Sequence, residues 1–390
     1  MRERQITPHF KRLATQYPVI TLTGPRQSGK TTLCKHVFPQ YDYVNLEDPS
    51  VRLYANEDPK AFLGQFKNGV ILDEIQRAPD LTSYIQVIVD EKQTPGQFIL
   101  TGSQQFEVTH TINQSLAGRT ALLKLLPLSY EEAYDNQGVT SLDDVLYKGF
   151  YPRIFDKNLP PTEALSFYLN TYIERDLRDM AQIRDLLTFQ RFLKLCATQV
   201  GQLLNCAHLA NDCGVSQNTI KFWLSLLEAS YIIYFIQPHY HRFRKRLTKS
   251  PKLYFYDVGL ASYLLGITNS SHIASHPSRG HLFENFIVTE FIKNCFNNVQ
   301  EKNTYFFRDH VGNEVDLILD YGTELVSVEI KSSQTINSSA FQGLGFYKKL
   351  AKTQNTKQLL IYAGNEKRQQ NGAFVFPYTQ LNAVFDHISS

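Results

Sequence analysis

The stretch VITLTGPRQSGKTTLCKHVF, residues 19–38, decides how the N-terminal part of the chain folds. An apolar run leads into the loop GPRQSGKT (24–31), which satisfies the pattern G-x-x-x-x-G-K-[ST], and a helix-like segment follows. Such a loop wraps its backbone N–H groups around a polyphosphate at the positive end of the helix. We therefore predict a nucleotide site in which Lys30 reaches the β- and γ-phosphates and the Thr31 hydroxyl binds Mg²⁺.

Short apolar runs alternate with helix-like segments on both sides of this loop. The strand-like runs cover residues 17–24, 41–48, 69–76, 96–103 and 120–129. The segments with helical periodicity cover residues 30–38, 59–66 and 80–92. Strands that alternate with helices predict a mostly parallel α/β sheet.

A second group of polar residues follows two of these strands. VILDE (70–74) ends an apolar strand in Asp73, at the edge of the sheet where Mg²⁺ is held, and Glu74 is a candidate general base for the attacking water. FILTGS (98–103) brings Thr101 and Ser103 to the end of a further strand, where a hydroxyl could contact the γ-phosphate or the water.

Phosphoryl transfer also uses an arginine that stabilises the developing charge. Such a residue acts within its own chain or is supplied to a neighbouring copy of the protein, which would require a homo-oligomer. The candidates are Arg26, Arg119, Arg175 and Arg178, and we favour Arg119.

From residue 162 to residue 266 the pattern is helical and ends in two strand-like runs. Helices joined by a glycine-containing turn and followed by a β-ribbon predict a winged helix-turn-helix. Ser216 is a candidate N-cap for the second helix of the pair. Gln217, Asn218 and Lys221 would lie at the exposed start of that helix, where a recognition helix meets the bases of DNA.

The predicted ribbon contains the basic segment HYHRFRKRLTKSPK (239–252), which has six Lys or Arg residues and no acid. A basic hairpin beside a helix-turn-helix favours binding to DNA phosphates. The predicted contacts are Arg242, Arg244, Lys245 and Arg246, and the segment also contains Lys249 and Lys252. The alternative is a spacer or protein interface with a solvated charged loop.

Four charged residues stand out in the C-terminal part, where the predicted element order is α-β-β-β-α-β. Asp316 lies in one strand, and Glu329 and Lys331 lie together on one face of the next. Glu284 lies along an apolar stripe of the preceding helix, where a charge needs a partner or a metal to offset its desolvation. Carboxylates that hold Mg²⁺, here Asp316 and Glu329, and a lysine that polarises water form a phosphodiester-cleaving site of the PD-(D/E)xK type. A version of this fold that does not cleave DNA is the alternative.

Composition limits the class of protein. The 390 residues suggest two or three domains, which we place at 1–160, 161–266 and 267–390. The net charge of +3 is too small to indicate binding to a polyanion by bulk charge, so a surface for DNA must be local. The five cysteines form no CxxC pair, and no apolar run approaches a membrane span of roughly 18 residues, so we expect a cytoplasmic protein without a membrane contact.

Taken together, these motifs resemble those of a large family of prokaryotic AAA-type ATPases fused to a C-terminal domain of unknown function with a restriction-endonuclease-like core. The motifs are GPRQSGKTTL, LDEIQ, LTGS, SLAGR with PLS, GFYP, YIERDL, KLYFYDVGL, LFENFIVTE, EVDLIL and VEIKSS. The resemblance implies binding of ATP, with Mg²⁺ at Thr31 and Asp73 and with hydrolysis assisted by Glu74. It also implies a nuclease centre at Glu284, Asp316, Glu329 and Lys331. The implied contacts to ATP are Gly24, Pro25, Arg26, Gln27, Ser28, Gly29, Lys30, Thr31 and Thr32.

The chain departs from this family at one point, because Lys148-Gly149 stands where the family usually has paired glycines. The leading hypothesis is an α/β multidomain protein in which ATP binding and hydrolysis control association with DNA and a metal-dependent nuclease centre. The alternative is an ATP-switched regulatory module whose endonuclease-like domain is inactive. A third hypothesis is a switch that recruits a protein partner through the winged helix.

Overall fold

The computed structural model describes residues 2–92, 94–103, 115–134, 140–172, 185–239, 248–351 and 355–389. Its N-terminal sheet consists of β1 (Val19–Thr23), β2 (Asp42–Asn45), β3 (Val70–Asp73), β4 (Phe98–Gly102) and β5 (Thr120–Lys124). The helices of this part are α1 (Thr7–Ala14), α2 (Lys30–Val37), α3 (Pro49–Glu57), α4 (Pro59–Gly64), α5 (Leu81–Lys92) and α6 (Tyr130–Tyr134). Each strand falls within one of the five runs that the sequence predicts.

The strand order of this sheet is β2-β3-β4-β1-β5, and every pairing is parallel. Both faces are buried, since Ile71 and Leu72, which are neighbours on β3, pack into cores on opposite sides of the sheet. The predicted parallel α/β sheet is therefore confirmed. Because β4 lies between β1 and β3, the carboxyl ends of these three strands lie side by side at one edge.

A helical part follows, with α7 (Leu142–Lys148), α8 (Pro152–Asp156), α9 (Pro161–Thr171), α10 (Leu186–Thr198), α11 (Cys206–Cys213) and α12 (Gln217–Ala229). Gly214 ends α11 in the left-handed conformation, with φ at 70°. Ser216 is the predicted N-cap of α12, and its hydroxyl oxygen accepts a hydrogen bond from the backbone N–H of Thr219 at 3.1 Å.

The strands β6 (Ile233–Pro238) and β7 (Lys252–Phe255) pair antiparallel after α12, and helix α13 (Val258–Leu264) follows. The helix pair and the ribbon therefore occur in the predicted order. The predicted DNA contacts on the ribbon and two of the candidate arginines lie outside the described residues; these are Arg242, Arg244, Lys245, Arg246, Arg175 and Arg178.

The C-terminal part contains α14 (Arg279–Asn297), β8 (Thr304–Arg308), β9 (Glu314–Asp320), β10 (Glu324–Lys331), α15 (Gln342–Leu350), β11 (Asn355–Tyr362), β12 (Arg368–Gln370), β13 (Ala373–Pro377) and α16 (Leu381–Ser389). The first six of these follow the predicted order α-β-β-β-α-β. The strand order of the second sheet is β12-β13-β11-β10-β9-β8-β6-β7. Because β6 pairs with β8, this sheet crosses the boundary predicted between residues 266 and 267. Among the described helices, none is long and apolar enough to cross a membrane.

The structure explains why position 149 is a glycine. Gly149 has φ at 67°, and an added Cβ would lie 2.5 Å from Asp257 Oδ1 and 2.8 Å from the Cα of Gly259. Lys148, in contrast, is the last residue of α7, and its ammonium lies 4.3 Å from the centroid of the Phe155 ring. Of these two positions, only 149 therefore requires a glycine in this chain.

Candidate nucleotide site

The phosphate loop connects β1 to α2. Gly29 precedes α2 and has φ at 95°. Gly24 has φ at 149° and packs directly against Leu125, the residue that follows β5, since an added Cβ would lie 2.1 Å from the carbonyl oxygen of Leu125. Lys30 Nζ donates hydrogen bonds to the carbonyl oxygens of Gly24 and Pro25, both at 2.9 Å. The phosphate loop therefore encloses the Lys30 ammonium.

Asp73, at the end of β3, accepts hydrogen bonds from three hydroxyls. Thr31 donates to Oδ2 at 2.8 Å, Tyr43 donates to the same oxygen at 2.7 Å, and Thr101 donates to Oδ1. This places the two predicted Mg²⁺ ligands, Thr31 and Asp73, in direct contact. A hydroxyl and a carboxylate oxygen at one point are ligands that suit Mg²⁺, so the residues fit the metal.

Glu74 leaves β3 with a left-handed backbone, at φ 59° and ψ 51°. This conformation is costly for a residue other than glycine and persists only where the surroundings hold it. Glu74 Oε2 accepts hydrogen bonds from Ser103 Oγ at 3.0 Å, from Ser103 N at 3.3 Å and from the amide of Gln76. The end of β4 therefore holds the carboxylate that the sequence predicts as general base.

A cavity of about 580 Å³ opens beside the loop. Its lining combines predicted residues with the C-terminal end of α9: Arg26, Gln27, Gly29, Lys30, Thr31, Thr32, Glu74, Tyr168, Thr171 and Tyr172. Burial lowers the pKa of the Lys30 ammonium, while the carboxylates of Glu74 and Asp73 act in the opposite direction. The cavity thus has a cation from the loop, the Glu74 carboxylate from the sheet edge and a wall from the helical part. Asp73 does not line it and is hydrogen-bonded to Thr31, which does.

Five of the predicted nucleotide contacts do not line the cavity, namely Gly24, Pro25, Ser28, Ser103 and Arg119. Ser103 does not line the cavity and is hydrogen-bonded to Glu74 instead. Arg119, the favoured arginine, binds Asp90 at the surface through two hydrogen bonds of 2.5 and 2.8 Å. It is likewise absent from the cavity lining, because the chain turns it toward α5. A catalytic role for Arg119 within its own chain is therefore not supported by its position.

Three features of this site were missed in the sequence. Tyr43 gives no motif signal, although its position on β2 places it beside β3 in the parallel register. Tyr168 and Tyr172 lie on a helix more than 130 residues from the phosphate loop. Tyr168 lies on α9 and Tyr172 is its C-cap, so the spacing of four residues indicates a shared face, but nothing local indicates what that face covers.

The predicted C-terminal residues do meet. Asp316 on β9 accepts a hydrogen bond from the backbone N–H of Ile330 at 2.8 Å, and Lys331 Nζ lies 2.5 Å from Glu329 Oε1 and 4.0 Å from Asp316 Oδ2. Burial and the Glu284 carboxylate raise the pKa of Asp316, and burial and Asp316 raise the pKa of Glu329. Glu329 Oε2 is buried and accepts no hydrogen bond from the described residues.

Glu284 is bound by a lysine and a tyrosine. Its Oε1 accepts hydrogen bonds from Lys252 Nζ at 2.8 Å and from the Tyr254 hydroxyl at 2.6 Å. Lys252 Nζ also lies 2.6 Å from Glu314 Oε1. Burial alone would lower the pKa of Lys252, but the carboxylates of Glu284, Asp316 and Glu314 raise it. The buried carboxylate that needed a partner or a metal therefore has a lysine.

Lys252 corrects one interpretation of the basic segment. It is 2% exposed, so it does not belong to a surface that contacts DNA. It is the first residue of β7, and its ammonium is bound by Glu284 and Glu314 of the C-terminal part. In the parts of the chain that the structure describes, no three His, Cys, Asp or Glu side chains form a group suited to a metal ion. A metal bound here would depend on Asp316 and Glu329.

Comparisons with known proteins match three consecutive stretches of the chain. Residues 16–134 match the family model of an AAA domain, and residues 139–271 and 279–381 match two domains of unknown function, DUF8612 and DUF4143. The AAA-domain match covers the phosphate loop and the parallel sheet, and the α/β fold of this part resembles that of P-loop ATPases.

The relatives are themselves uncharacterised. A protein of Mycobacterium tuberculosis is 29% identical over 340 residues, which cover 86% of this chain and 75% of that protein. A protein of Haemophilus influenzae is 23% identical over 306 residues, covering 70% of this chain and 74% of its own length. Among solved structures, a Walker-type ATPase of Pyrococcus abyssi is 14% identical with a TM-score of 0.45, covering 68% of this chain and 96% of that one. AMPPCP-bound DnaA from Aquifex aeolicus is 12% identical with a TM-score of 0.31, covering 57% of this chain and 85% of that one.

Proposed function

We propose that the chain binds ATP with Mg²⁺ in the cavity beside the phosphate loop and hydrolyses it. The observation that carries this proposal is the direct contact of Thr31 with Asp73, beside a loop that encloses Lys30. Thr31 and Asp73 would hold Mg²⁺, which neutralises charge on the phosphate oxygens. Lys30 would bind the β- and γ-phosphates, and Glu74 would orient the attacking water and accept its proton.

Isothermal titration with Mg²⁺ and ATP tests the binding part of this proposal. Lys30→Ala removes the only lysine in the cavity lining, and we expect it to weaken ATP binding by about tenfold or more, the effect of losing one charge-assisted contact. Lys60→Ala, an exposed lysine on α4, is the matched control and should bind as wild type does. Equal affinity of the two variants would contradict the proposal.

We also propose that the nucleotide state controls association with DNA through the start of α12. Gln217, Asn218 and Lys221 are all exposed there, on a helix whose N-terminus is capped and follows a tight turn. This arrangement supports insertion of the helix into a major groove. The segment with Arg242, Arg244, Lys245 and Arg246 would contact phosphates beside it.

Fluorescence anisotropy with labelled duplex DNA tests this proposal. Lys221→Gln should weaken binding several-fold and lower the slope of log K against log salt by about 1, because one phosphate or base contact is lost. Lys60→Gln should leave both the affinity for DNA and its salt dependence unchanged, because Lys60 is not part of the predicted DNA-binding surface. Measurements with ATP and with ADP should differ in affinity. Identical binding by both variants in both nucleotides would contradict the proposal.

A second candidate function is metal-dependent cleavage of DNA by the C-terminal centre. It is favoured by the buried oxygen Glu329 Oε2, which lacks a partner among the described residues and lies beside Asp316 and Lys331. These two carboxylates would hold Mg²⁺, which would supply a Lewis acid for the phosphodiester. Lys331 would orient or polarise the water. Glu284 fits this role poorly, since Lys252 and Tyr254 already bind its carboxylate.

Plasmid nicking in Mg²⁺ or Mn²⁺ tests this candidate. Asp316→Asn should lower the rate of plasmid nicking by at least 100-fold. The exposed control Asp386→Asn should nick at the wild-type rate. The nicking rate of Glu284→Gln should be compared with that of wild type per amount of folded protein, because the ion pair of Glu284 with Lys252 is structural. Absence of nicking by wild type under every metal would favour the inactive, regulatory alternative.

A further inference from the structure

A second cavity, of about 800 Å³, lies where the three parts of the chain meet. One wall is β5, the edge strand of the N-terminal sheet, and the others are the end of α12, two tyrosines and the turn after α14. The lining residues that matter to its chemistry are Lys124, Glu228, Tyr234, Phe296, Glu301 and Lys302. This cavity shares no lining residue with the one at the phosphate loop.

Two lysines line this cavity. Lys302 Nζ donates a hydrogen bond to the carbonyl oxygen of Phe235 at 2.8 Å and lies 4.7 Å from the centroid of the Tyr234 ring. Lys124 Nζ lies 4.8 Å from the centroid of the Phe296 ring. Within the described ranges neither ammonium has a carboxylate oxygen within 4.0 Å, so each is stabilised by a carbonyl or a ring rather than by an ion pair.

The charges around these lysines favour an added anion. Burial and the neighbouring Lys124 lower the pKa of Lys302 to about 8, against the opposing effect of Glu228 and Cys295. Burial also lowers the pKa of Lys124. Glu228 and Glu301 line the same cavity, and burial raises the pKa of the Glu228 carboxyl while Lys302 acts in the opposite direction. A dianion placed between the two ammonium groups would offset both their desolvation and their repulsion.

We propose that this cavity binds a phosphorylated small molecule, whose phosphate group is held between Lys124 and Lys302. A phosphate group offers a double charge and several acceptor oxygens, which two ammonium groups can share. The volume suits a ligand of the size of a sugar phosphate or a mononucleotide. The ligand would contact β5, and the next residue after this strand, Leu125, packs on Gly24 of the phosphate loop. The proposal does not depend on ATP binding at that loop.

The test is isothermal titration of inorganic pyrophosphate into the full chain with Lys30→Ala, which removes the lysine of the phosphate loop. Adding Lys302→Gln or Lys124→Gln should weaken binding by about tenfold or more. Adding Lys348→Gln, an exposed lysine on α15, should leave it unchanged at the same ionic strength. Thermal melting of each variant keeps the comparison to folded protein.

Three results would overturn this proposal. They are absence of pyrophosphate binding to the Lys30→Ala chain, equal affinity in the Lys302→Gln and Lys348→Gln backgrounds, and tighter binding of citrate than of pyrophosphate. The last result would show a site for carboxylates instead of phosphates.

Discussion

Replacing Lys252 with methionine is expected to lower the free energy of unfolding by about 3–5 kcal/mol. Lys252 is 2% exposed, and its ammonium lies within 2.8 Å of carboxylate oxygens on Glu284 and Glu314. Methionine preserves most of the volume but removes the cation that the Glu284 and Glu314 carboxylates share, while Arg308 stays paired with Glu314 at 3.2 Å. Removing one partner of a buried ion pair is costly because the other charge stays desolvated. Urea unfolding followed by circular dichroism measures the change.

The same hairpin provides the control. Lys249 lies three residues earlier in the chain and is exposed, so Lys249→Met should change stability by less than about 0.5 kcal/mol. Adding Glu284→Gln to Lys252→Met should restore part of the lost stability, since it removes one of the unpaired charges. Equal stability of the two methionine variants would show that the lysine is not a structural cation of the C-terminal centre.

The second large effect concerns hydrolysis. Glu74→Gln should lower the turnover of ATP by about 100-fold or more, because an amide cannot accept the proton of the attacking water. Binding of ATP should stay within a few-fold of wild type, since the amide keeps the shape of the side chain and an oxygen for the Ser103 hydroxyl. Phosphate release and isothermal titration, measured on one preparation, separate the two quantities.

Glu57→Gln, an exposed substitution at the end of α3, is the matched control for this experiment. It should bind and hydrolyse ATP as wild type does. If Glu74→Gln lost binding and turnover in equal proportion, the residue would act in nucleotide binding, and the assignment of a general base would be wrong.

The N-terminal sheet could be predicted in detail because its signals are local. The phosphate loop carries its own pattern, and an apolar strand that ends in Asp73 places this carboxylate without any knowledge of distant residues. The parallel order follows from alternating helices and strands. The contacts of Tyr43, Tyr168 and Tyr172 could not be predicted, since they depend on how separate elements pack together.

The basic segment shows how a pattern of charge can mislead. Counting Lys252 with the arginines before it treats it as part of a solvated surface. Its place at the start of an apolar strand, KLYFYDVG, indicates a buried residue instead. The same reasoning that required a partner for Glu284 applies to this lysine. Lys252 and Glu284 are 32 positions apart in the chain. The sequence indicates that each buried charge needs a partner, but it does not indicate that these two residues pair with each other.

Arg119 illustrates a different limit. An arginine in a turn before a strand is compatible with a catalytic role and with a surface ion pair, and only the position of Asp90 on α5 separates these. The sheet that continues from β6 into β8 was hidden for a related reason, since pairing between parallel strands leaves no local signal.

Steady-state phosphate release from ATP by the full chain tests the central claim most directly. The account predicts that wild type hydrolyses ATP in Mg²⁺, that omitting Mg²⁺ abolishes release, and that Lys30→Ala lowers it by at least tenfold while Lys60→Ala does not. Hydrolysis that persists in Lys30→Ala at the wild-type rate, or no hydrolysis by wild type in Mg²⁺, would contradict it.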